Sequence, residues 1–412
     1  MKANLLWGVL QETGLAFAPP VGMISLESLT TLEHDILCKA VAIQKTDSSV
    51  IDLKARQFWP AQTELVGLTF GLLAEGAYEL YPQYTIGLHA WFLQQIQAFD
   101  PALSAQLHDG ETDKAFNLSG LSGQFLTQSR SLQLQAGKTY QWHVNGLTKP
   151  VVAGLAKWLK QLPEVVALKN APLTIRRVSY AQAPTTYAKL VAVEPGRSLS
   201  LTFVSPTSFR RKGHHLPLPW PRNVFHSYLR RWNEFANRPV DQDSFLDWVD
   251  DHVVFQRHEL VSEKIAAGKR GSVTGFTGAV TYGLAGKAAE NPEFEQLFYT
   301  LGHYAPYCGT GHKTTFGLGQ TRLGWHLSQA LPQAMPAAQR LLADRIDELT
   351  TYFVNQKKRT GGDRAQASAE TWATILARRE LGDSLQTIAE ELGLPYETAK
   401  TYSKLARRSL KG

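Results

Sequence analysis

The sequence predicts an α+β chain: two tandem ferredoxin-like domains followed by an all-α helix-turn-helix extension. Three observations lead there. From Thr63 to Tyr180 the apolar pattern switches between the two-residue and 3.6-residue periods in the order strand, helix, strand, strand, helix, strand, which is the split βαβ arrangement. The same order recurs, more loosely, from Leu199 to Trp325. After Pro332 the composition turns to Ala, Gln, Arg and Leu at helical spacing.

Taken in order, residues 1–59 form an N-terminal extension that carries no motif. The first domain, 60–190, opens on the unbroken apolar run Leu65 to Leu73, a buried strand. Ile86, Leu88, Leu93 and Ile96 recur at helical spacing, and Asp100 with Pro101 starts a short second helix. Phe116 to Leu118, Leu132 to Leu134 and Tyr140 to Val144 alternate as strands. Val151 to Leu162 is amphipathic, and Ile175 to Tyr180 closes the unit. Glu194, Pro195 and Gly196 mark a boundary, and the second domain spans 197–330. Its expected elements are a strand at Leu199 to Phe203, a helix at Asn223 to Phe235 and strands at His252 to Leu260 and Val273 to Tyr282. A helix at Pro292 to Tyr304 and a closing strand at Phe316 to Trp325 follow. Residues 331–368 read as a helical linker, and 369–412 as the helix-turn-helix, with its turn at Gly393 and Leu394 and Pro395 in the first turn of the last helix.

Composition narrows the function classes. The chain has 412 residues, 43% hydrophobic and 19% charged, which excludes a wholly disordered or collagen-like protein. The formal net charge is +7, with most of the excess after residue 197, so a polyanion partner is compatible with the balance but not demanded by it. Two cysteines, Cys38 and Cys308, exclude a disulfide framework and a multi-thiolate zinc site. No apolar run approaches the ~18 residues of a membrane span. Gln11, Glu12 and Thr13 interrupt the one apolar run resembling a signal peptide, so a cytoplasmic location is expected.

Three constellations carry chemistry. Gly309, Gly311, His312, Lys313, Gly317 and Gly319 make a glycine-rich loop in which backbone can approach a phosphate and two side chains add donors. It lacks the Walker spacing, and it precedes a strand where a dinucleotide fingerprint opens a helix. A plain glycine-rich turn is the competing reading. Arg210, Arg211 and Lys212, followed by His214 and His215, suit a phosphate backbone, against the common reading of a solvated charge run. Trp220 with Arg222, and Arg230 to Trp232, supply rings and cations suited to single-stranded or hairpin RNA. Third, His108 ends a short helix and Lys114 follows six residues later. An imidazole moves protons near neutral pH, and a lysine offsets charge developing on a phosphorane. A surface-loop histidine is the bland alternative. No HExxH motif and no nucleophile elbow is present, so no metal site and no cofactor is expected. The aspartates at 241, 243, 247, 250 and 251 read as an exposed acidic helix, with metal binding a minor option.

Together these segments resemble the CRISPR-associated endoribonucleases that cut precursor CRISPR RNA within each repeat. The resemblance covers residues 60–330. It rests on Gly309 to Arg322, on Leu199 to Phe209 running into Leu216 to Asn233, and on Leu88 to Phe92 with Asp100 to His108. It implies the RRM-like fold, a repeat RNA as substrate, and metal-independent attack of a 2′-OH giving a 2′,3′-cyclic phosphate and a 5′-OH. His108 takes the family's catalytic histidine position and Lys114 its lysine position; the tyrosine position falls near Leu93 and is unfilled. Tyr81 or Tyr84 are spatial substitutes to consider, and His89 and His34 are alternative imidazoles. The glycine-rich loop and the basic segment at 210–212 would hold RNA.

The tail departs from this pattern. Helix-turn-helix units usually read DNA through the second helix, here Pro395 to Arg408, with Glu397, Thr398, Lys400 and Thr401 in its N-terminal half; a small bundle docking on a partner protein is the other reading. Two further functions therefore stand beside the nuclease: a non-catalytic RNA-binding subunit of a CRISPR effector complex, and a DNA-binding regulator acting through the tail.

Overall fold

A computed structural model describes residues 49–412, apart from 82, 110–112, 129–130, 212–213, 267–271, 328–333, 357–362, 382 and 411–412. His34, and Lys212 of the basic segment, lie outside the described residues. The described residues from 49 to 323 mix helices and strands, and those after them are helical.

The first part runs β1 (Leu65–Leu73), β2 (Tyr78–Leu80), α1 (Tyr84–Phe99), α2 (Pro101–Asp109), β3 (Phe116–Leu118), β4 (Phe125–Gln128), β5 (Ser131–Leu134), β6 (Thr139–Gly146), α3 (Lys149–Leu159), β7 (Val165–Leu168) and β8 (Ala171–Thr185). Five strands pair antiparallel in the order β3-β6-β1-β8-β7. β1 is the centre, and its Val66, Leu68, Phe70 and Leu72 are fully buried, which is why it reads as a continuous apolar run. α3 starts with proline in its first turn and covers the sheet with Val151, Val152, Leu155, Trp158 and Leu159. Phe70 meets Trp142 and Trp158 at ring-centroid distances of 5.3 and 5.1 Å. The strand expected at Leu132 to Leu134 exists, but in a separate small sheet of order β2-β5-β4. Residues 49–59 join this core: Ile51 and Trp59 are buried in it, and the Ile51 amide donates to the Val178 carbonyl.

A short helix, α4 (Tyr187–Val191), leads to the second part. It comprises β9 (Ser198–Thr207), β10 (Phe209–Arg211), β11 (His214–Leu216), α5 (Pro221–Phe235), α6 (Gln242–His252), β12 (Val253–Ala266), β13 (Ser272–Leu284), α7 (Pro292–Cys308) and β14 (Thr321–Leu323). Four strands pair in the order β12-β13-β9-β14. The connectivity of the first sheet therefore recurs. In each, the first strand lies between the third and the last, with the second at the edge beside the third; the first sheet adds β7 outside β8. The closing strand is shorter than the sequence predicts. Lys313 and Gly317 take left-handed backbone at φ 58° and 87°, so Thr314–Phe316 coils into a 3-10 turn and only Thr321–Leu323 pairs with β9. The acidic helix α6 is ion-paired and capped: Arg222 meets Asp247 and Asp250 at 2.9 and 2.7 Å, and Asp241 accepts from the Ser244 amide.

Among the described residues the tail has four helices, α8 (Ala334–Asn355), α9 (Asp363–Glu380), α10 (Leu385–Leu392) and α11 (Tyr396–Ser409). Leu342, Ile346, Leu349 and Phe353 of α8 share a core with Ala369, Ala373, Leu376 and Ala406. α8 also lies along β12, where Lys264 pairs with Asp347 and Arg340 with Glu263. No helix among the described residues is long and apolar enough to cross a membrane.

Candidate active site

The two sheets meet at the C-terminal end of α7. A helix end leaves carbonyls without intrahelical partners. Here side-chain amides from the first sheet supply them: Asn145 donates to the Pro306 and Tyr307 carbonyls at 3.0 Å, and Asn117 donates to Tyr307. Beyond the helix the glycine-rich loop returns on itself. Thr310 donates its amide to Gly319 at 2.7 Å, Gly319 to Pro206 at 3.1 Å, Gly311 to the Ser227 hydroxyl at 2.8 Å, and Gly317 to Leu118 at 3.1 Å. The glycine amides are thus engaged by the protein itself. What glycine contributes is conformation: Gly309, Gly311, Gly317 and Gly319 all have φ between 67° and 87°. A Cβ on Gly319 would fall on the Thr310 carbonyl oxygen.

The loop carries Phe316 onto His89. The two rings stack at 4.4 Å and 24°, and Phe116 stacks behind at 5.9 Å. His89 is held well below the ordinary imidazole range, at about 4, first by burial and then by the nearby His108 and Lys114 charges. It is neutral at neutral pH. His89 and His108 line one cavity of about 510 Å³ with Leu93, Gln94, Gln97 and Ser104. His108 is exposed in the last turn of α2, a helix whose start is fixed by the Asp100 carboxylate accepting from the Leu103 amide. Lys114 returns across the loop and donates from Nζ to the His108 carbonyl at 2.9 Å. A cation at that point also complements the helix dipole. His108, His89 and Lys114 therefore converge, and Leu93 sits in the same wall. Tyr81 and Tyr84 do not join them. They line a different cavity, beside Asp383, Ser384 and Thr387 of the tail. The Tyr84 hydroxyl accepts from the Leu121 amide, and its burial raises its pKa.

Sequence reasoning missed the brace on Asp113, the neighbour of Lys114. Asp113 is gripped by Arg230 through Nε at 2.5 Å, with Arg231 at 3.7 Å. Arg231 is only 3% exposed. Its guanidinium donates to the Ser227 carbonyl and hydroxyl, to Gly309 at 3.5 Å and to Gly311 at 2.7 Å. One arginine thus ties α5, the glycine-rich loop and the Lys114 loop together. Its contacts to the two loops lie 78 to 118 residues away along the chain, so no local signal marked them.

A second group lies at the β10–β11 hairpin. Arg210 opposes His215 across the two strands, and Arg211 opposes His214. His312 is fastened to the Ser208 carbonyl through Nδ1 at 2.8 Å, and its ring lies tilted 5.1 Å from that of His215. Lys313 is half-buried, and burial followed by the Arg210 charge lowers its pKa. A polar cavity of about 400 Å³ opens between the first sheet and the loop, lined by Thr69, Asn117, His143, Gln182, Thr321 and Arg322 among others. His143, 2.8 Å from the Thr69 hydroxyl, is pushed down to about 4 by burial and by the Arg322 charge.

Comparison with known proteins fits this geometry. Residues 69–178 match the family model of the CRISPR Cas6 N-terminal domain, and residues 201–321 match that of CRISPR-associated endoribonuclease Cas6. A CRISPR-associated endoribonuclease Cas6 of Streptococcus thermophilus is 25% identical over 196 residues, covering 46% of this chain and 77% of its own. One from Mycobacterium tuberculosis is 24% identical over 158 residues, 38% of this chain and 45% of its own. A Cas6 solved as a product complex is 28% identical with a TM-score of 0.50, covering 63% of this chain and 99% of that one. A Thermus thermophilus Cas6 product complex, at 22% identity and a TM-score of 0.53, shares the fold over 63% of this chain and 100% of its own. These similarities place the body among the CRISPR-associated endoribonucleases. The chain belongs to the Cas6 family.

Proposed function

We propose that this chain cuts precursor CRISPR RNA within its repeats, without a metal ion, by attack of a ribose 2′-OH on the adjacent phosphate. The new O–P bond closes a 2′,3′-cyclic phosphate, the bond to the 5′-oxygen breaks, and the proton lost by the 2′-OH is balanced by one delivered to the leaving oxygen. The observation that carries the reading is the exposed His108 imidazole at the mouth of a cavity, with the Lys114 ammonium fixed at the same helix end. His108 moves the proton, as base or acid, and Lys114 offsets charge on the phosphorane. His89, neutral and in the same wall, is the second imidazole within reach.

The recurring strand order supports two tandem ferredoxin-like units, with the RNA lying where they meet. Arg210, His215, His312 and Lys313 suit phosphates, and the polar cavity beside His143 suits a base edge. The RNA-binding role of the glycines is to shape the loop that holds His312 and Lys313 in place. The work of such an enzyme lies in the cytoplasm, where CRISPR transcripts are made.

The test is incubation of the full chain with a labelled repeat RNA from its own locus in EDTA, beside the same RNA carrying one 2′-deoxy nucleotide at the cut. Cleavage of the RNA alone, with cyclic-phosphate and 5′-OH ends, is expected. Cutting of the deoxy substrate, or a strict need for divalent metal, would overturn the mechanism. Tight binding without cutting would make the chain a non-catalytic RNA-binding subunit.

A further inference from the structure

We propose that the tail is a second nucleic-acid site, which binds double-stranded DNA by placing α11 in the major groove. The unit has a core of its own. Ile375 of α9, Ile388, Ala389 and Leu392 of α10, and Ala399 of α11 form a buried cluster, with Leu394 and Tyr402 packed against it. The turn between α10 and α11 is tight: Gly393 is left-handed at φ 65°, and the Leu394 amide donates back to Ala389 at 2.9 Å. Ala389 is buried in this cluster at the start of the turn.

α11 buries one face and shows another. Ala399, Ser403 and Ala406 point inward. Lys400, Thr401, Lys404 and Arg408 are exposed and recur at i, i+1, i+4 and i+8, which places them on one ridge. Glu397 is the acid on that ridge, and its carboxylate is held by Lys400 at 3.3 Å. Beside the ridge a groove of about 550 Å³ is walled by Lys400, Lys404, Arg407 and Arg408 over Leu376, Leu385 and Leu410. Its acid, Glu380, is taken by Arg345 in a two-pronged pair at 2.7 and 2.9 Å. Among the described residues Lys404, Arg407 and Arg408 make no ion pair, so these three are left for an outside anion.

The docking of the tail keeps this face outward. α8 lies on β12, and Asp383, Ser384, Thr387 and Glu391 face the start of α1 across a cavity, opposite Tyr81, Tyr84 and Gly87. Charge complementarity selects a polyanion, and shape selects which one. An α-helix is about 10–12 Å across and B-DNA's major groove about 12 Å wide, whereas the major groove of duplex RNA is too deep and narrow for a helix.

The experiment titrates the full chain into a labelled mixed-sequence DNA duplex across a salt series and follows anisotropy. The comparison is the double variant Lys404→Ala, Arg408→Ala, both exposed positions outside the nuclease cavity. Salt-dependent DNA binding is expected, with roughly a tenfold or greater loss of affinity in the variant at low salt and a log–log salt slope smaller by about two, one per lost phosphate contact. Repeat-RNA affinity and cleavage stay unchanged. Absence of duplex binding, or duplex affinity untouched by the double substitution, would overturn the proposal. A loss confined to repeat RNA would overturn it too, reassigning the ridge to the transcript.

Discussion

Replacing Arg231 with Met tests how the glycine-rich loop is held. The methionine keeps most of the apolar stem but removes every donor. The Gly311 carbonyl loses its 2.7 Å partner, Gly309 loses its 3.5 Å one, and the Ser227 hydroxyl and carbonyl lose theirs. Asp113 keeps Arg230. A hydrogen bond to a charged group contributes about 1.5–3 kcal/mol, and an orphaned buried carbonyl costs about 1–3 kcal/mol. Removing one partner from a buried charged cluster costs about 3–5 kcal/mol in total, since such terms overlap. At roughly 2–4 °C per kcal/mol, the melting temperature should fall by about 10 °C. Arg231→Lys keeps the charge but not the fork, so it should recover less than half of that loss. The assay is a thermal melt of the full chain by circular dichroism at fixed concentration. A shift below about 2 °C for Arg231→Met would show that the loop does not depend on this residue, and the reasoning would fail.

Other outcomes follow from the same geometry. Gly319→Ala should destabilise by about 2 kcal/mol or more, because the new methyl meets the Thr310 carbonyl at a left-handed backbone; a wild-type melt would contradict this. His89 and His143 are both lowered from 6.5 to about 4. A depressed histidine stabilises fully above 6.5 and loses that contribution as pH falls toward 4, because the unfolded chain takes up the proton first. Each should therefore cost about 2–3 kcal/mol between pH 7 and pH 4.5, and His143→Gln should flatten the pH dependence of the urea midpoint. An unchanged pH profile in that variant would remove His143 as a source. Lys114→Ala should slow cleavage by about 10²-fold while leaving repeat-RNA affinity within a few-fold, as single-turnover rates would report.

The order of elements was legible because apolar spacing is a local property. β1 reads as buried and α3 as amphipathic from their own residues. The turn at Thr314–Phe316 was not legible, since it depends on Lys313 accepting a left-handed backbone that its side chain disfavours. His108 and Lys114 lie six residues apart, and their meeting through one hydrogen bond was within reach of spacing. The neutral state of His89 was not, because the ring that covers it, Phe316, comes from the other sheet's loop. Nor was the Asp113 brace, whose arginines stand on α5. Tyr84 offered the right chemistry in sequence, but its hydroxyl is spent on the Leu121 amide. Helix α9 lay within the expected helical tail but had no bounds of its own, because its buried positions Ala369, Ala373 and Ala377 carry little apolar contrast.

The central claim is that His108 moves the proton in RNA cleavage. Single-turnover cleavage of the repeat RNA in EDTA, by the wild type, His108→Ala and His89→Ala, tests it most directly. His108→Ala should lose about 10²- to 10⁴-fold in rate with RNA affinity retained, and His89→Ala should lose less. An unimpaired His108→Ala enzyme, with the large loss falling on His89→Ala, would contradict it and move the chemistry to the imidazole under Phe316.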